Sequence, residues 1–248
     1  SAAKEILESS AQETVVTGID ISSYRDENGG DLAALMLAVK EAETRIRLGS
    51  LEVSLIDERF LDAVKQVKRF APQFHLSLQS GSNRVLKAMN RHYTREEYLE
   101  KCALIYEYFP NAAVTTDIIV GFPVETEEDF CDSLSIVDTV GFAQIHAFPY
   151  SPREGTNAYK KYKELPFSVK KERLARLLER GAEQKKKYME GFIGKTLEMV
   201  PETWTDGYTE GYSENYIRLY LQGEIEKRPA RVCGVRLFRE GLEVRYAP

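Results

Sequence analysis

Cysteine is scarce in this chain of 248 residues, and its three copies, Cys102, Cys131 and Cys233, form no CxxC or CxxxCxxC run. That excludes a disulfide framework and a metal site built from these thiols alone. A reducing cytoplasm is the natural compartment for such a protein. No stretch of 18 apolar residues occurs, which excludes a helix spanning a bilayer. No signal peptide opens the chain; the first residues, SAAKEILESS, read as an amphipathic helix. Histidine is limited to His75, His92 and His146. Positive charge is not in excess either: 34 Lys and Arg stand against 39 Asp and Glu, a net −5. A surface that grips nucleic acid everywhere is thereby excluded, and only a local basic patch remains open. There is no internal repeat and no low-complexity segment.

What is present suits one large α/β domain, or one large domain plus a small one, with a core that needs no staple. Strand-like runs at 13–19, 44–51, 74–79, 112–122 and 142–150 alternate with helical patterns at 31–42, 57–70, 94–107 and 126–140. This order predicts βαβ units and a parallel sheet. Thr94 with Glu97, and Thr126 with Asp129, have capping-box spacing. A long charged helix is predicted over 168–190. From Gly191 the helical period stops, Tyr and Gly become frequent, and short alternating strands follow, which predicts a small antiparallel β-barrel. The expected division is therefore 1–190 and 191–248. A βα barrel should begin with a strand, whereas this chain opens on a helix, so an upstream strand and its loop are expected to be absent.

The strands carry more information than any short motif. Apolar Phe74, Leu76 and Leu78 alternate with His75, Ser77 and Gln79. Arg45, Arg47, Thr115, Asp117, Gln144 and His146 fall on comparable polar positions of their strands. In a closed or partly closed βα barrel one strand face looks into the lumen and the other packs on helices. Burying so many unpartnered polar groups would cost roughly 1–3 kcal/mol each, so the lumen is expected to be hydrated and to hold a polar ligand. An antiparallel sheet with one wet face would give the same alternation, but the intervening helices count against it. His75 and His146 read as lumen hydrogen-bonding groups or metal ligands, His92 as a loop residue, and Cys102 and Cys131 as helix core.

Four segments, LSLQSGSNRVLKAMNRHYT (76–94), TTDIIVGFPVETEEDF (115–130), FPYSPREGT (148–156) and GYSENYIRLYL (211–221), resemble the tRNA methylthiotransferases of the radical S-adenosylmethionine class. The resemblance covers nearly the whole chain in order. It implies a partial, open (β/α) barrel of radical SAM type followed by a TRAM-like RNA-binding β-barrel. It also implies S-adenosylmethionine and, in a full-length parent, two 4Fe–4S clusters held by cysteines in an N-terminal domain and in a CxxxCxxC loop. Clusters need thiolates, and none of the three cysteines here has the spacing to substitute. The fragment itself is therefore expected to be inactive, with no metal site.

Position by position, the resemblance implies that Gly18 is where backbone meets the methionyl amino group, with Asp20 beside it. Gln79 and Ser80 end the strand reaching ribose or carboxylate. Asp117, Gly121, Phe122 and Pro123 belong to the strand whose end cradles the adenine. Tyr150, Ser151 and Arg153 end the last strand, and Arg47 and Glu52 are further candidates. Val124 replaces the glycine usual in GFPGET, and Val53 stands where proline is usual after SLE. RIRLGSLE and SPREGT look like the branch acting on threonylcarbamoyladenosine beside the anticodon of tRNA. The ribosomal-protein branch shares the architecture. In the tail, Tyr216, Arg218 and Tyr220, in line with Tyr212, offer an aromatic and arginine face suited to RNA. Residues 192–248 hold eight basic and nine acidic side chains, so charge does not decide there. The basic runs at 170–180 and 185–187 read as a solvated helix face with pairs such as Glu172–Arg176. Two other classes fit the same residues: a barrel lyase using Asp117, His75 and His146 around a metal, and a non-catalytic RNA-binding protein.

Overall fold

The computed structural model describes residues 2–248. Six parallel strands, in a two-stranded and a four-stranded sheet, form an open wall. β1 (Glu13–Val16) pairs with β2 (Arg45–Leu48). β3 (Ser50–Leu51), β4 (Gln73–Leu76), β5 (Ala113–Val120) and β6 (Gln144–Pro149) then pair in sequence order. The expected single strand at 44–51 is broken at Gly49, where a Cβ would sit 2.7 Å from the Thr17 hydroxyl. A side chain at this position would collide with that of Thr17, and glycine avoids it. β1 and β6 are unpaired on their outer sides among the described residues.

Helices return the chain from strand to strand. These are α1 (Ala2–Leu7), α2 (Leu32–Ala38), α3 (Glu58–Lys65), α4 (Asn83–Ala88), α5 (Arg95–Tyr108), α6 (Glu127–Val140), α7 (Asn157–Lys161) and α8 (Phe167–Glu190). The short α4 and α7 lie outside the helical patterns expected from sequence. Both expected capping boxes form: Thr94 and Thr126 each accept from the backbone of Glu97 and Asp129, whose carboxylates reach back. Such a cap typically contributes about 1 kcal/mol. Leu32, Met36, Phe60, Phe74, Leu76, Tyr98, Phe130 and Phe142 fill the layer between strands and helices, each essentially without exposure. No helix among the described residues is long and apolar enough to cross a membrane.

α8 ends at Glu190 and the chain enters a closed barrel of β7 (Thr196–Thr205), β8 (Tyr208–Tyr212), β9 (Arg218–Gln222), β10 (Ala230–Phe238) and β11 (Gly241–Tyr246). Its order is β10-β11-β9-β8-β7. Four pairings are antiparallel, but β9 and β11 run parallel, a departure from the purely antiparallel barrel expected. Leu197, Met199, Leu219, Leu221, Val232, Leu242 and Val244 fill its interior, and Met189 of α8 joins them.

This barrel docks at the N-terminal ends of the parallel strands. Arg45, 2% exposed, donates to the carbonyls of Glu198 (3.0 Å) and Tyr212 (3.1 Å). Arg47 donates to those of Ser213 (3.2 Å) and Glu214 (3.3 Å). Glu13 bridges both guanidiniums at 2.5 and 2.7 Å. Burial acts to raise the Glu13 pKa, and the two arginines pull it below the usual carboxylate value.

Candidate active site at the strand ends

The polar strand faces converge as a connected network. His75 Nδ1 lies 3.0 Å from Thr115 Oγ1, and Nε2 lies 3.2 Å from Asp117 Oδ2. Ser77 donates to the same carboxylate oxygen at 3.0 Å, and Gln73 Nε2 donates to Thr115 at 3.2 Å. With Asp117 ionised, one assignment of protons satisfies every member. Gln73 donates to Thr115, Thr115 to Nδ1, and Nε2–H and Ser77 to Asp117. The His75 hydrogen bond is the largest cause holding Asp117 below the usual carboxylate range. His146 stands over His75 with ring centroids 5.9 Å apart.

Above this network, at the C-terminal ends of β4 to β6, opens a cleft of about 810 Å³. Gln79, Asp117, Ile119, Phe122, Phe148, Tyr150 and Ser151 line it, with Arg91 and Arg153 at its rim. Phe122 and Tyr150 meet edge to face at 5.1 Å. Gln79 is held at φ 69°, left-handed backbone for a side-chain-bearing residue. Its N–H donates to the Asp117 carbonyl at 2.8 Å and its carbonyl accepts from Ile119 at 2.9 Å. Strain of this kind costs on the order of 1–3 kcal/mol and concentrates at functional sites. Tyr93, which sequence reasoning did not single out, braces the β4 end by donating to the carbonyls of Ser77 (2.8 Å) and Leu78 (3.0 Å). Burial pushes its hydroxyl up to about 12.

Sequence reasoning also missed a clasp supplied by α8. Lys170, buried, donates to the Tyr150 carbonyl at 3.1 Å and to Glu164 at 2.7 Å. Its stem lies against Gly121, which has φ +73° and where a Cβ would come within 2.4 Å of Lys170 Cγ. Arg173 donates to the Glu125 carboxylate at 2.7 Å and to the Glu125 carbonyl at 3.2 Å. The same carboxylate oxygen accepts from Gly121 N–H at 2.8 Å. Burial raises the Glu125 pKa against the opposing pull of these bonds. The available signal was a lysine and an arginine three apart in a run read as solvated. The Glu172–Arg176 pair of that run does form, at 3.1 Å. Val124 causes no disturbance, because the turn places it outside the positive-φ region.

Six of the expected residues share the cleft: Gln79, Asp117, Phe122, Tyr150, Ser151 and Arg153. Gly121 and Pro123 form the turn beside it, in which Glu125 N–H donates to Phe122 O at 2.8 Å. Ser80 is fully buried and accepts from the Ser82 N–H instead of facing the cleft. Gly18, Asp20 and Glu52 stand at the ends of the neighbouring strands. Asp20 caps a short helical turn, accepting from Ser23 N at 3.2 Å, and the Ser23 hydroxyl is the main cause of its lowered pKa. Arg47 is drawn out of the group altogether, because its guanidinium is consumed by Glu13 and the tail carbonyls. In the tail, Tyr212 and Tyr216 stack at 4.7 Å with Tyr216 at φ 60°, and Arg218 lies 5.7 Å over Tyr212. Tyr220 departs from that face. It is 2% exposed and enclosed by Tyr208, Phe238 and Arg239.

The model of the radical SAM superfamily matches residues 2–137, more than half of the chain. The chain belongs to the radical SAM superfamily. It is 39% identical over 196 residues to the threonylcarbamoyladenosine tRNA methylthiotransferase MtaB of Aquifex aeolicus, covering 78% of this chain and 48% of that one. It is also 39% identical over 202 residues to the tRNA-2-methylthio-N(6)-dimethylallyladenosine synthase of Bdellovibrio bacteriovorus, covering 80% and 45%. This radical SAM chain thus spans about half the length of the curated relatives it matches. In fold it is similar to coproporphyrinogen III oxidase (HemN) from Escherichia coli, with a TM-score of 0.51 at 15% identity over 78% of this chain and 51% of that one.

Its residues do not fit an iron–sulfur cluster. Cys102 is buried on α5, Cys131 is exposed on α6 and Cys233 lies on β10. Among the described residues, no three His, Cys, Asp or Glu are grouped to hold a metal. The cleft does fit the nucleoside half of S-adenosylmethionine. Phe122, Phe148 and Tyr150 offer flat walls, while Asp117, Gln79 and Ser151 offer acceptors and donors beside them.

Proposed function

We propose that this chain is the barrel and RNA-binding tail of a radical SAM methylthiotransferase. The parent enzyme adds a methylthio group to C2 of a modified adenosine, threonylcarbamoyladenosine, next to the tRNA anticodon. The observation carrying the reading is the His75-oriented Asp117 beneath an aromatic cleft at the strand ends, where barrel enzymes keep their chemistry. When bound, S-adenosylmethionine supplies the radical chemistry, and the protein supplies orientation. Phe122 and Tyr150 would flank the adenine, and Asp117 and Gln79 would hold the ribose hydroxyls. Gly18, Asp20 and Glu52 would hold the methionyl end. Tyr212, Tyr216 and Arg218 stack and pair with the RNA. The thiolates for two 4Fe–4S clusters belong to parts of the protein outside these 248 residues, and the enzyme works in the cytoplasm.

Expression of the full-length gene in a strain lacking methylthiolation, followed by mass spectrometry of tRNA nucleosides, tests this. 2-Methylthio-threonylcarbamoyladenosine is the expected product. The dimethylallyladenosine analogue would move the enzyme to the other branch, a second reading favoured by the equal 39% identities. A methylthiolated ribosomal protein, or no methylthio product, would overturn the reading. Parent protein purified without oxygen should hold about eight irons, as two four-iron clusters require. The 248-residue chain should cleave no S-adenosylmethionine after treatment with iron, sulfide and reductant.

A further inference from the structure

Beside the cleft lies a shallow depression of about 490 Å³, shared between α4 and α7. Lys87, Ala88, Asn90, Asn157, Ala158, Lys160, Lys161 and Tyr162 line it, and no carboxylate does. Ala88, Asn90, Asn157 and Ala158 also line the cleft, so the two hollows share a wall. Arg91 and Arg153 continue the positive rim on the cleft side.

On α8, Lys170, Arg173, Arg176, Arg180 and Lys186 are engaged by carboxylates, while Lys171, Lys185 and Lys187 are not. Among the described residues, Lys87, Arg91, Arg153, Lys160 and Lys161 have no carboxylate within 4.0 Å. In a chain of net charge −5, a carboxylate-free set of cations around one opening is a local reversal of sign. Aromatic faces stand among them: Tyr159 is 48% exposed, and Lys161 Nζ lies 5.2 Å over the Tyr162 ring. Unpaired lysines beside an exposed Tyr159 and a half-buried Tyr162 suit a single-stranded nucleic acid backbone with unstacked bases. α7 buries no residue of its own, so nothing in the core requires its lysines.

We propose that this α4–α7 rim receives the RNA phosphates flanking the nucleotide that enters the cleft. The inference rests on the reading of the chain as an RNA-modifying enzyme and adds the surface on which the RNA lands. The tail tyrosines and the lysine run at 185–187 are then not the principal phosphate contacts.

The test is binding of a labelled anticodon stem-loop RNA to the full 248-residue chain, followed by anisotropy across a salt series. Lys87→Ser/Lys160→Ser/Lys161→Ser should weaken binding roughly tenfold or more at low salt, and the slope of log K against log salt should fall by about 2 to 3. The matching triple arginine variant should restore both, and Lys185→Ser/Lys186→Ser/Lys187→Ser should change affinity less than about twofold. Thermal melting of each variant alongside wild type separates charge from folding. Rim variants that bind as tightly as wild type with an unchanged slope would overturn the rim alone. A wild type that does not bind the RNA would remove the enzyme reading and the rim together. Loss on the serine substitutions that arginine fails to restore would also overturn it, because the contact would then not be one of charge.

Discussion

The ammonium of Lys170 donates to the carbonyl of Tyr150 at 3.1 Å, so a residue of α8 fixes where β6 delivers its last side chains. The stem of the same lysine rests on Gly121, at the end of β5. One side chain therefore sets the spacing of the two strand ends that carry Phe122 and Tyr150.

Lys170→Met keeps the stem and removes the donor. It leaves the Tyr150 carbonyl and Glu164 without their shared partner, a loss of about 1–3 kcal/mol in stability. Affinity for S-adenosylhomocysteine, measured by calorimetry on the 248-residue chain, should fall severalfold. Lys170→Arg should recover part of both. Equal affinity in Lys170→Met and wild type would show that the clasp does not shape the cleft.

Glu125 and Arg173 form a buried pair, with the carboxylate fully enclosed. Removing one partner strands the other charge, so Arg173→Met should cost roughly 3–5 kcal/mol in chemical denaturation. Adding Glu125→Gln should restore much of that loss, and strict additivity would refute the pairing. The raised pKa of Glu125 also has a sign. The folded protein holds this proton to higher pH than the unfolded chain does. The contribution of this carboxyl to stability is therefore greatest below its unfolded value of 4.5, and it diminishes as pH rises through the folded one.

Asp129 behaves in the opposite sense. Burial works to raise its pKa, but bonds from Arg84, Ser82 and Thr126 hold it far below the usual 3.8. Its stabilisation is present above the unfolded value and is lost as pH falls through the folded one. Asp129→Asn should flatten the acid limb of a stability-against-pH curve below pH 4, a range set by the 3.8 reference. An unchanged limb would exclude this carboxylate as the source.

Gln79 allows strain and contact to be separated. Gln79→Gly relieves the left-handed backbone, whereas Gln79→Ala keeps it. Both remove the amide from the cleft. The glycine variant should melt higher than the alanine variant, by the equivalent of about 1 kcal/mol, while both bind S-adenosylhomocysteine less tightly than wild type. A glycine variant no more stable than the alanine one would argue against stored strain.

The tail tyrosines should divide. Tyr216→Ala removes an exposed stacked ring and should reduce RNA affinity, with base stacking contributing on the order of 1–3 kcal/mol. Tyr220→Ala should instead lower the melting temperature, because that ring is enclosed. The reverse pattern would show that the RNA face was wrongly drawn.

Strand alternation made the parallel wall legible, since Phe74, Leu76 and Leu78 do face the helices while His75, Ser77 and Asp117 share the lumen. It could not tell how high along the barrel a polar residue stands or what covers it. Arg45 and Arg47 obey the alternation, yet they meet the tail rather than the cleft, because a partner distant in sequence supplies four carbonyls. Tyr220 fails for the same reason: its period is right, but Arg239 and Phe238 roof it over. The break at Gly49 depends on Thr17, just past the end of β1, and the parallel β9–β11 pairing depends on strand order. Neither leaves a local signal. Lys170 and Arg173 were hidden because a charged helix looks solvated until its packing partners are known.

The arginine-sealed junction fixes the tail below the N-terminal strand ends, while the cleft opens at the C-terminal ends. Between the two, Thr115 and His146 line a hollow shared with Tyr212 and Tyr216 of the tail, and Asp117, paired with His146 across β5 and β6, lines the cleft. The polar lumen therefore has two mouths, one walled by the tail and one at the strand ends, with the His75–Asp117 pair between them.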